Sequence, residues 1–280
     1  NNRAFLRRWL KAITMVDDAL SEKEIGRAVT TAFDYLKPEE RILKNLYKSC
    51  FSPTGNMRRE LFRWINPDQY GNIFNAENDS LDLASKRFMA FDFTHIFEDE
   101  TLAPAVISYI MHRIMAETGD TGVPSLIMID ETAPMLKHPM FRDYFIIGLQ
   151  EGRKKRQAYL CAFQQPNIID KLGVGEVIRG QCQTVIFFRN PQAMPEDYAN
   201  WNLTQREIEF IFGKSYRDFP YAILLSRPAT GESVILDVDL SGLGPYLKLY
   251  NSGRKNVHLV EEPIKEYGEE NFVTKYLNIA

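Results

Sequence analysis

The sequence predicts an α/β protein in which a mainly parallel sheet is flanked by helices and preceded by an all-helical lobe. Three observations carry that reading. Between residues 87 and 188 short apolar runs of strand length alternate with stretches of helical period, the pattern of βαβ units. From Arg3 to Trp64, by contrast, the apolar residues recur at helical spacing only. The composition of the 280 residues, 45% hydrophobic and 25% charged, is that of a chain that buries a core.

In the first stretch Phe5, Leu6, Trp9, Leu10 and Ile13 form one helical stripe, Ile25, Val29, Ala32, Phe33 and Leu36 a second, and Ile42, Leu43, Leu46 and Tyr47 a third. Ser21 followed by Glu24 has the spacing of a capping box, and Pro38 and Ser52-Pro53-Thr54-Gly55 separate helices. Residues 1–80 are therefore expected as a helical lobe. In residues 81–245 strands are expected at Arg87–Phe93, Ser125–Ile129, Ala158–Phe163 and Thr184–Phe188. Helices are expected between them at Ala103–Glu117, Phe141–Lys155 and Gly175–Cys182, followed by a helix at Thr204–Phe212. A hairpin of Ala222–Ser226 and Ser233–Val238 across Ala229-Thr230-Gly231 closes the sheet, and residues 246–280 read as a mostly helical end.

Charge and cysteine content exclude several classes of function. Lys plus Arg total 34 against 37 Asp plus Glu, so no global basic field draws the chain to nucleic acid, and any polyanion site is local. Residues 1–80 carry 13 basic and 11 acidic residues, which leaves the excess of acid in the remainder. Cys50, Cys161 and Cys182 make neither a CxxC pair nor a disulfide framework, which fits a reducing compartment. No run approaches the roughly 18 to 20 apolar residues of a bilayer span, and the charged opening segment is no signal-peptide core, so a soluble chain is expected. Asn1 in place of an initiator Met suggests a processed product or a piece of a longer protein.

The sharpest local signal is Leu126-Ile127-Met128-Ile129 running into Asp130-Glu131. Ligands of open α/β sheets bind beyond the carboxyl ends of the strands, so both acids project at a site edge. There an Asp can hold magnesium, directly or through water, while the neighbouring Glu polarises an attacking water. The bland reading is a solubilising strand end. Gln164 ends the next strand, where an amide could sense a γ-phosphate or orient water. The run Arg153-Lys154-Lys155-Arg156 reads either as a source of a transition-state cation or as a dipole-favoured helix end.

Phosphate loops are missing from the pattern. Gly213-Lys214-Ser215 has Ile208 where a GxxxxGK[ST] cradle needs Gly, and Gly173-Val174-Gly175 has Ile178 at the third glycine of a dinucleotide turn. His95, His112, His138 and His258 lack metal-ligand spacing, and a nuclease-like cluster of Asp82, Asp92 and Asp130 follows no defined rule. Trp9, Trp64 and the aromatics at 88, 91 and 93 read as core.

FNAENDSLDL, KRFMAFDFTHIFED, LIMIDE, EGRKKRQAYLCAFQQPNIID, IRGQCQTVIFFRNPQA and YANWNLTQREIEFI occur in that order. Together they resemble the C-terminal ATPase half of the large type IV secretion and conjugative-transfer ATPases, the TrbE/CagE group. The resemblance runs from about residue 1 to about residue 245 and implies a RecA-like P-loop NTPase core whose phosphate loop lies upstream of the helical lobe. It implies that Asp130 and Glu131 are a Walker B pair, with Asp130 on magnesium, that Gln164 is the glutamine ending the next core strand, and that Arg153 and Lys154 are the basic pair after the Walker B helix. Gln181, Asn190 and Pro191 match later family elements, and Leu203, Thr204 and Glu207 match an LTxxE block. This sequence departs from the family at Phe163-Gln164, at Thr132-Ala133-Pro134 and at Arg189.

The resemblance further implies ATP and Mg2+ as cofactors and a homo-oligomer, a hexamer, on the cytoplasmic face of the bacterial inner membrane. Its partners would be inner-membrane and channel subunits of the secretion system, companion secretion ATPases and a transferred protein or DNA. An arginine from a neighbouring subunit would complete the site, with Arg153 ahead of Arg179 and Arg189. The 280 residues alone are expected not to hydrolyse ATP, for want of the phosphate loop. Two other readings compete: a non-catalytic docking module on the same fold, and a ring-forming DNA translocase.

Overall fold

The computed structural model describes residues 2–83, 85, 87–120, 123–213, 221–250, 254–268 and 271–278. The chain divides into two compact units, residues 1–182 and 183–280. Of the rejected phosphate-loop motif, Lys214 and Ser215 lie outside the described residues.

The first unit opens with α1 (Asn2–Thr14), α2 (Ala19–Tyr35), α3 (Leu43–Ser49) and α4 (Asn56–Leu61). Their apolar stripes meet in one core of Trp9, Leu10, Ile13, Ile25, Val29, Leu46, Leu61 and Trp64. Both tryptophans bury their rings and still satisfy the indole N–H, which prevents an unpaired buried donor. Trp64 donates to the carbonyl of Ile13 at 3.1 Å, and Trp9 donates to the carbonyl of Ala105 at 3.0 Å. The second bond ties the lobe to α5 (Leu102–Asp120). The expected Ser21–Glu24 cap is not the one used: α2 starts earlier, on Asp18, whose carboxylate accepts from the amides of Leu20 and Ser21. Glu24 instead accepts from the amide of Ser52, bracing the turn before α4.

The strand expected at Arg87–Phe93 does not form. Asp92 accepts from the backbone amide of Thr94 at 2.8 Å and from its hydroxyl at 2.6 Å, a turn that stops an extended run. The aromatics there are not core as a group either, since Phe88 is 82% exposed.

Beyond α5 come β1 (Ser125–Ile129), α6 (Thr132–Leu136), α7 (Pro139–Glu151), β2 (Gln157–Cys161), α8 (Ile168–Lys171) and α9 (Gly175–Gln181). The two strands pair in parallel, with Ser125 opposite Gln157 and Ile129 opposite Cys161, joined by the helical crossover that parallel pairing requires. Helix α7 lies close on β2 because Gly148 has no side chain: a Cβ there would stand 2.2 Å from the Tyr159 hydroxyl.

The second unit is an antiparallel sheet of β3 (Val185–Phe188), β4 (Ala222–Arg227) and β5 (Glu232–Asp237), in the order β3-β4-β5. The expectation of a mainly parallel sheet is thus corrected: among the described residues parallel pairing is confined to β1 and β2. The hairpin turn explains part of this, because Gly231 takes a φ of 70° that closes β4 onto β5 locally. Helix α10 (Gln205–Ile211) buries Phe210 and Ile211 against Phe187, Tyr198 and Leu224. Residues Ser241–Tyr250, α11 (Arg254–Tyr267) and α12 (Phe272–Leu277) follow as helical segments. Among the described residues no helix is long and apolar enough to cross a membrane.

Two outcomes follow from this packing. Gly148→Ala forces its Cβ into the Tyr159 ring and is expected to destabilise the chain by about 1–3 kcal/mol, read from the urea midpoint, with partial relief when combined with Tyr159→Phe. The second concerns His112 of α5, whose ring stacks on Phe5 of α1 with centroids 3.8 Å apart. Burial, followed by the nearby Arg113 and Arg8 charges, lowers its pKa from 6.5 to about 4. The folded state therefore favours the neutral imidazole, and the unfolded chain takes up the proton first as pH falls. This contribution to stability is complete above pH 6.5 and is lost as pH falls towards 4. Melting temperatures recorded over that window should fall more steeply for the wild type than for His112→Phe.

Candidate functional site at the carboxyl ends of the parallel strands

The site is built by the backbone before any side chain is considered. The parallel ladder continues past the last strand residues: the Ala162 amide donates to the Ile129 carbonyl at 3.0 Å, and the Thr132 amide donates back to the Ala162 carbonyl at 3.0 Å. The chain must leave β1 after Ile129 and return at Thr132, so Asp130 and Glu131 are looped outward. Glu131 takes a left-handed conformation, with φ 48° and ψ 57°, to make the turn. Thr132, fully buried, locks the return by donating its hydroxyl to the Ile129 carbonyl at 3.0 Å.

Both carboxylates are exposed as a result. The Asp130 side chain accepts from the Glu131 amide at 3.1 Å, which turns it along the strand end. Gln164, two residues past Ala162, donates its side-chain amide to the Glu131 carboxylate at 2.8 Å. The sequence placed these two groups on neighbouring strand ends, and the structure joins them directly. Cys161 lies just below in the ladder, and burial pushes its thiol up to about 12, so it stays protonated and is no nucleophile at neutral pH.

The basic residues sit elsewhere. Arg153 and Lys154 are exposed in the turn that leads into β2, at the amino end of that strand, whereas Gln164 follows its carboxyl end. Five strand residues at ~3.3 Å each put the two ends about 15 Å apart. Within one chain the Arg153-Lys154 pair and the Asp130-Glu131 pair therefore stand at opposite ends of the parallel strands. Of the rest of the run, Lys155 pairs with Glu151 at 3.0 Å, and Arg156, at a φ of 56°, offers its carbonyl to the Ser125 amide.

The other candidate arginines are engaged locally. Arg179 grips Asp170 with two hydrogen bonds of 3.0 and 2.6 Å, and Arg189 donates to the Gly213 carbonyl at 3.2 Å. Thr204 and Glu207 form a reciprocal cap on α10, the Thr204 amide donating to the Glu207 carboxylate at 2.7 Å. The backbone amide of Asn190 donates to the Ile211 carbonyl at 2.7 Å, and Gln181 is exposed at the end of α9. Asp82 and Asp92 are held in local turns by Ser85 and Thr94, and among the described residues no group of three His, Cys, Asp or Glu could hold a metal. The nuclease-like cluster is excluded on that geometry. Asp130 presents a single outward carboxylate at a strand end, which suits a magnesium ion whose other ligands are water and phosphate.

A parallel β-α-β unit with adjacent carboxylates at its carboxyl end and a glutamine across from them defines a mixed α/β protein with a candidate ligand site at the strand ends. No protein-family model matches the chain. It is 29% identical over 276 residues to the type IV secretion system protein virB4 of Bartonella henselae, covering 96% of this chain and 34% of that protein. It is 33% identical over 217 residues to the conjugal transfer protein TrbE of Rhizobium radiobacter, covering 75% of this chain and 26% of that one. The type IV secretion system protein CagE of Helicobacter pylori is 28% identical over 230 residues, covering 81% of this chain and 21% of CagE. The chain matches the VirB4/TrbE/CagE family of type IV secretion and conjugal-transfer proteins and spans about a third or less of the length of these relatives.

The left-handed turn at residue 131 sets a ranking of substitutions. Glu131→Gln should leave the urea midpoint unchanged and Glu131→Gly should hold or raise it, while Glu131→Val, β-branched at positive φ, should cost about 1–2 kcal/mol.

Proposed function

We propose that this chain is the strand-end half of an ATP-hydrolysing motor site in a type IV secretion or conjugation machine, on a RecA-like P-loop NTPase core. The observation that carries the reading is the Gln164 amide on the Glu131 carboxylate, 2.8 Å apart, beside an outward Asp130 at the carboxyl end of a parallel pair. The names of the relatives, secretion and conjugal-transfer proteins, supply the setting.

In this reading ATP lies across the ends of β1 and β2. Asp130 would hold magnesium, through water, and the ion would supply charge neutralisation at the β- and γ-phosphate oxygens. Glu131 accepts the proton of a water whose oxygen attacks the γ-phosphorus as the bond to the β-γ bridging oxygen breaks, giving ADP and phosphate. Gln164 keeps the Glu131 carboxylate at the water position. The 280 residues contain no GxxxxGK[ST] cradle, so the phosphate loop is proposed to come from sequence outside them.

Arg153 supports a ring. It stands at the end of the sheet opposite Glu131, exposed, and so serves a neighbour's site rather than its own, as transition-state cations supplied in trans do. Arg179 and Arg189 are less suited, being tied to Asp170 and Gly213. The proposed assembly is a homo-oligomer, a hexamer, peripheral to the cytoplasmic face of the inner membrane, coupled to channel subunits and companion ATPases.

ATP turnover by a polypeptide spanning the full length of the relatives tests the reading. Glu131→Gln should retain nucleotide binding and lower kcat between about a hundredfold and ten-thousandfold. Turnover equal to wild type in that variant would sink the role of Glu131 as the base.

A further inference from the structure

The first unit contains a second concave surface that the strand-end chemistry does not use. It is a cleft of 530 Å³ between α1, residues 38–46 and α5, edged by residues 73–81. Its wall is apolar: Phe5, Leu6, Trp9, Leu46, Phe74 and Ile110 line it. Tyr109, the polar group of the α5 wall, has its hydroxyl turned onto Asp79, which also pairs with Arg113. That wall therefore asks for an apolar side chain rather than a hydrogen-bonding one.

The lining is charged with one dominant sign. Glu39, Glu77 and Asp79 stand against a single cation, Arg41. Arg41 is engaged away from the opening: it donates to the carbonyls of Leu36 and Phe33 and stacks over the Phe33 ring at 4.7 Å. Asp79 is neutralised by Arg113. Glu39 and Glu77 remain, both exposed, with no ion pair among the described residues, on two separate stretches of the lining.

We infer that this cleft docks a polypeptide segment in which an aliphatic or aromatic anchor is flanked by Lys or Arg. The anchor fills the apolar wall, and the flanking cations meet Glu39 and Glu77. Two carboxylates on separate stretches favour a chain with cations on both sides of its anchor over a small cation that meets one. An acidic peptide or an anionic lipid surface is repelled by the same charges. Apolar residues beside Lys and Arg are the composition of polypeptide just inside a membrane, so a membrane subunit would be the source; that last step rests on the function proposed above.

The test is a selection of random 12-residue peptides displayed on phage against the purified 280-residue chain, with the Glu39→Lys/Glu77→Lys variant as counter-target. Both positions are exposed, so the variant should fold, and circular dichroism checks that it does. Enriched peptides should carry Lys or Arg on either side of an apolar anchor, bind the variant at least tenfold more weakly, and weaken as salt rises. Their binding should slow amide exchange in residues 5–9, 39–46 and 73–81. Failure to enrich, enrichment of acidic peptides, equal binding to the variant, or protection confined to other residues would each overturn the inference. The selection uses neither nucleotide nor magnesium, so its failure leaves the ATPase reading standing, and loss of ATP turnover leaves the cleft untouched.

Discussion

Two backbone hydrogen bonds past the end of a two-stranded parallel ladder hold the candidate site in place. The Ala162 amide on the Ile129 carbonyl and the Thr132 amide on the Ala162 carbonyl require that the intervening Asp130 and Glu131 leave the line of the strand. Everything chemical about the site follows from that detour. The acids are outward and solvated, they are adjacent but distinct in environment, and the next strand delivers Gln164 to one of them only. Thr132 is as much a part of the device as the acids, because its buried hydroxyl closes the turn on the Ile129 carbonyl.

Parallel pairing also has a polarity that antiparallel pairing lacks. The carboxyl ends of β1 and β2 lie together and so do their amino ends, which separates the acidic pair from the basic run by the length of the strands. The Arg153 turn thereby belongs to the opposite edge, where the Arg156 carbonyl starts the ladder by receiving the Ser125 amide. On the function proposed above, a site using both the acids and Arg153 would draw them from two copies of the chain.

Much of this was legible in the sequence, for reasons that differ by element. Leu126–Ile129 is a continuous apolar run that stops at two charges, and the strand Ser125–Ile129 ends where that run does. The hairpin was visible because Gly231 permits the positive φ its turn uses. The lobe was readable from helical spacing, yet its cap was misassigned, since Asp18 and Ser21 are both competent N-caps and only the packed helix shows which one begins it. Arg87–Phe93 has the composition of a strand, but a strand also needs a partner, and the Asp92 turn onto Thr94 wins locally. Sheet direction was missed for a related reason: composition reports that Val185–Phe188 is a strand, not which way its neighbour runs. At the site, residue types were readable and distances were not. The opposition of Lys154 to Asp130 emerges only from the register.

The same distinction separates matching motifs that keep the fold from those that perform chemistry. Thr204 and Glu207 cap α10 reciprocally, and Arg179 is spent on Asp170; both are explained by local structure alone. Glu131 is not so explained. Its backbone lies where non-glycine residues carry a penalty of about 1–2 kcal/mol, a position that glycine would fill without strain. The side chain makes no buried contact that repays this; its carboxylate is exposed and its partner, the Gln164 amide, is exposed as well. A surface hydrogen bond of that kind contributes about 0.5–1.5 kcal/mol at most, so it does not clearly offset the strain. What the conformation does achieve is presentation: a carboxylate held beyond the strand end, next to a second one, with a single amide fixing its direction. Met15, Arg156 and Asn202 also take positive φ, so the conformation alone assigns no role; at Glu131 it coincides with the edge where α/β sheets bind their ligands, which is what the proposed function draws on.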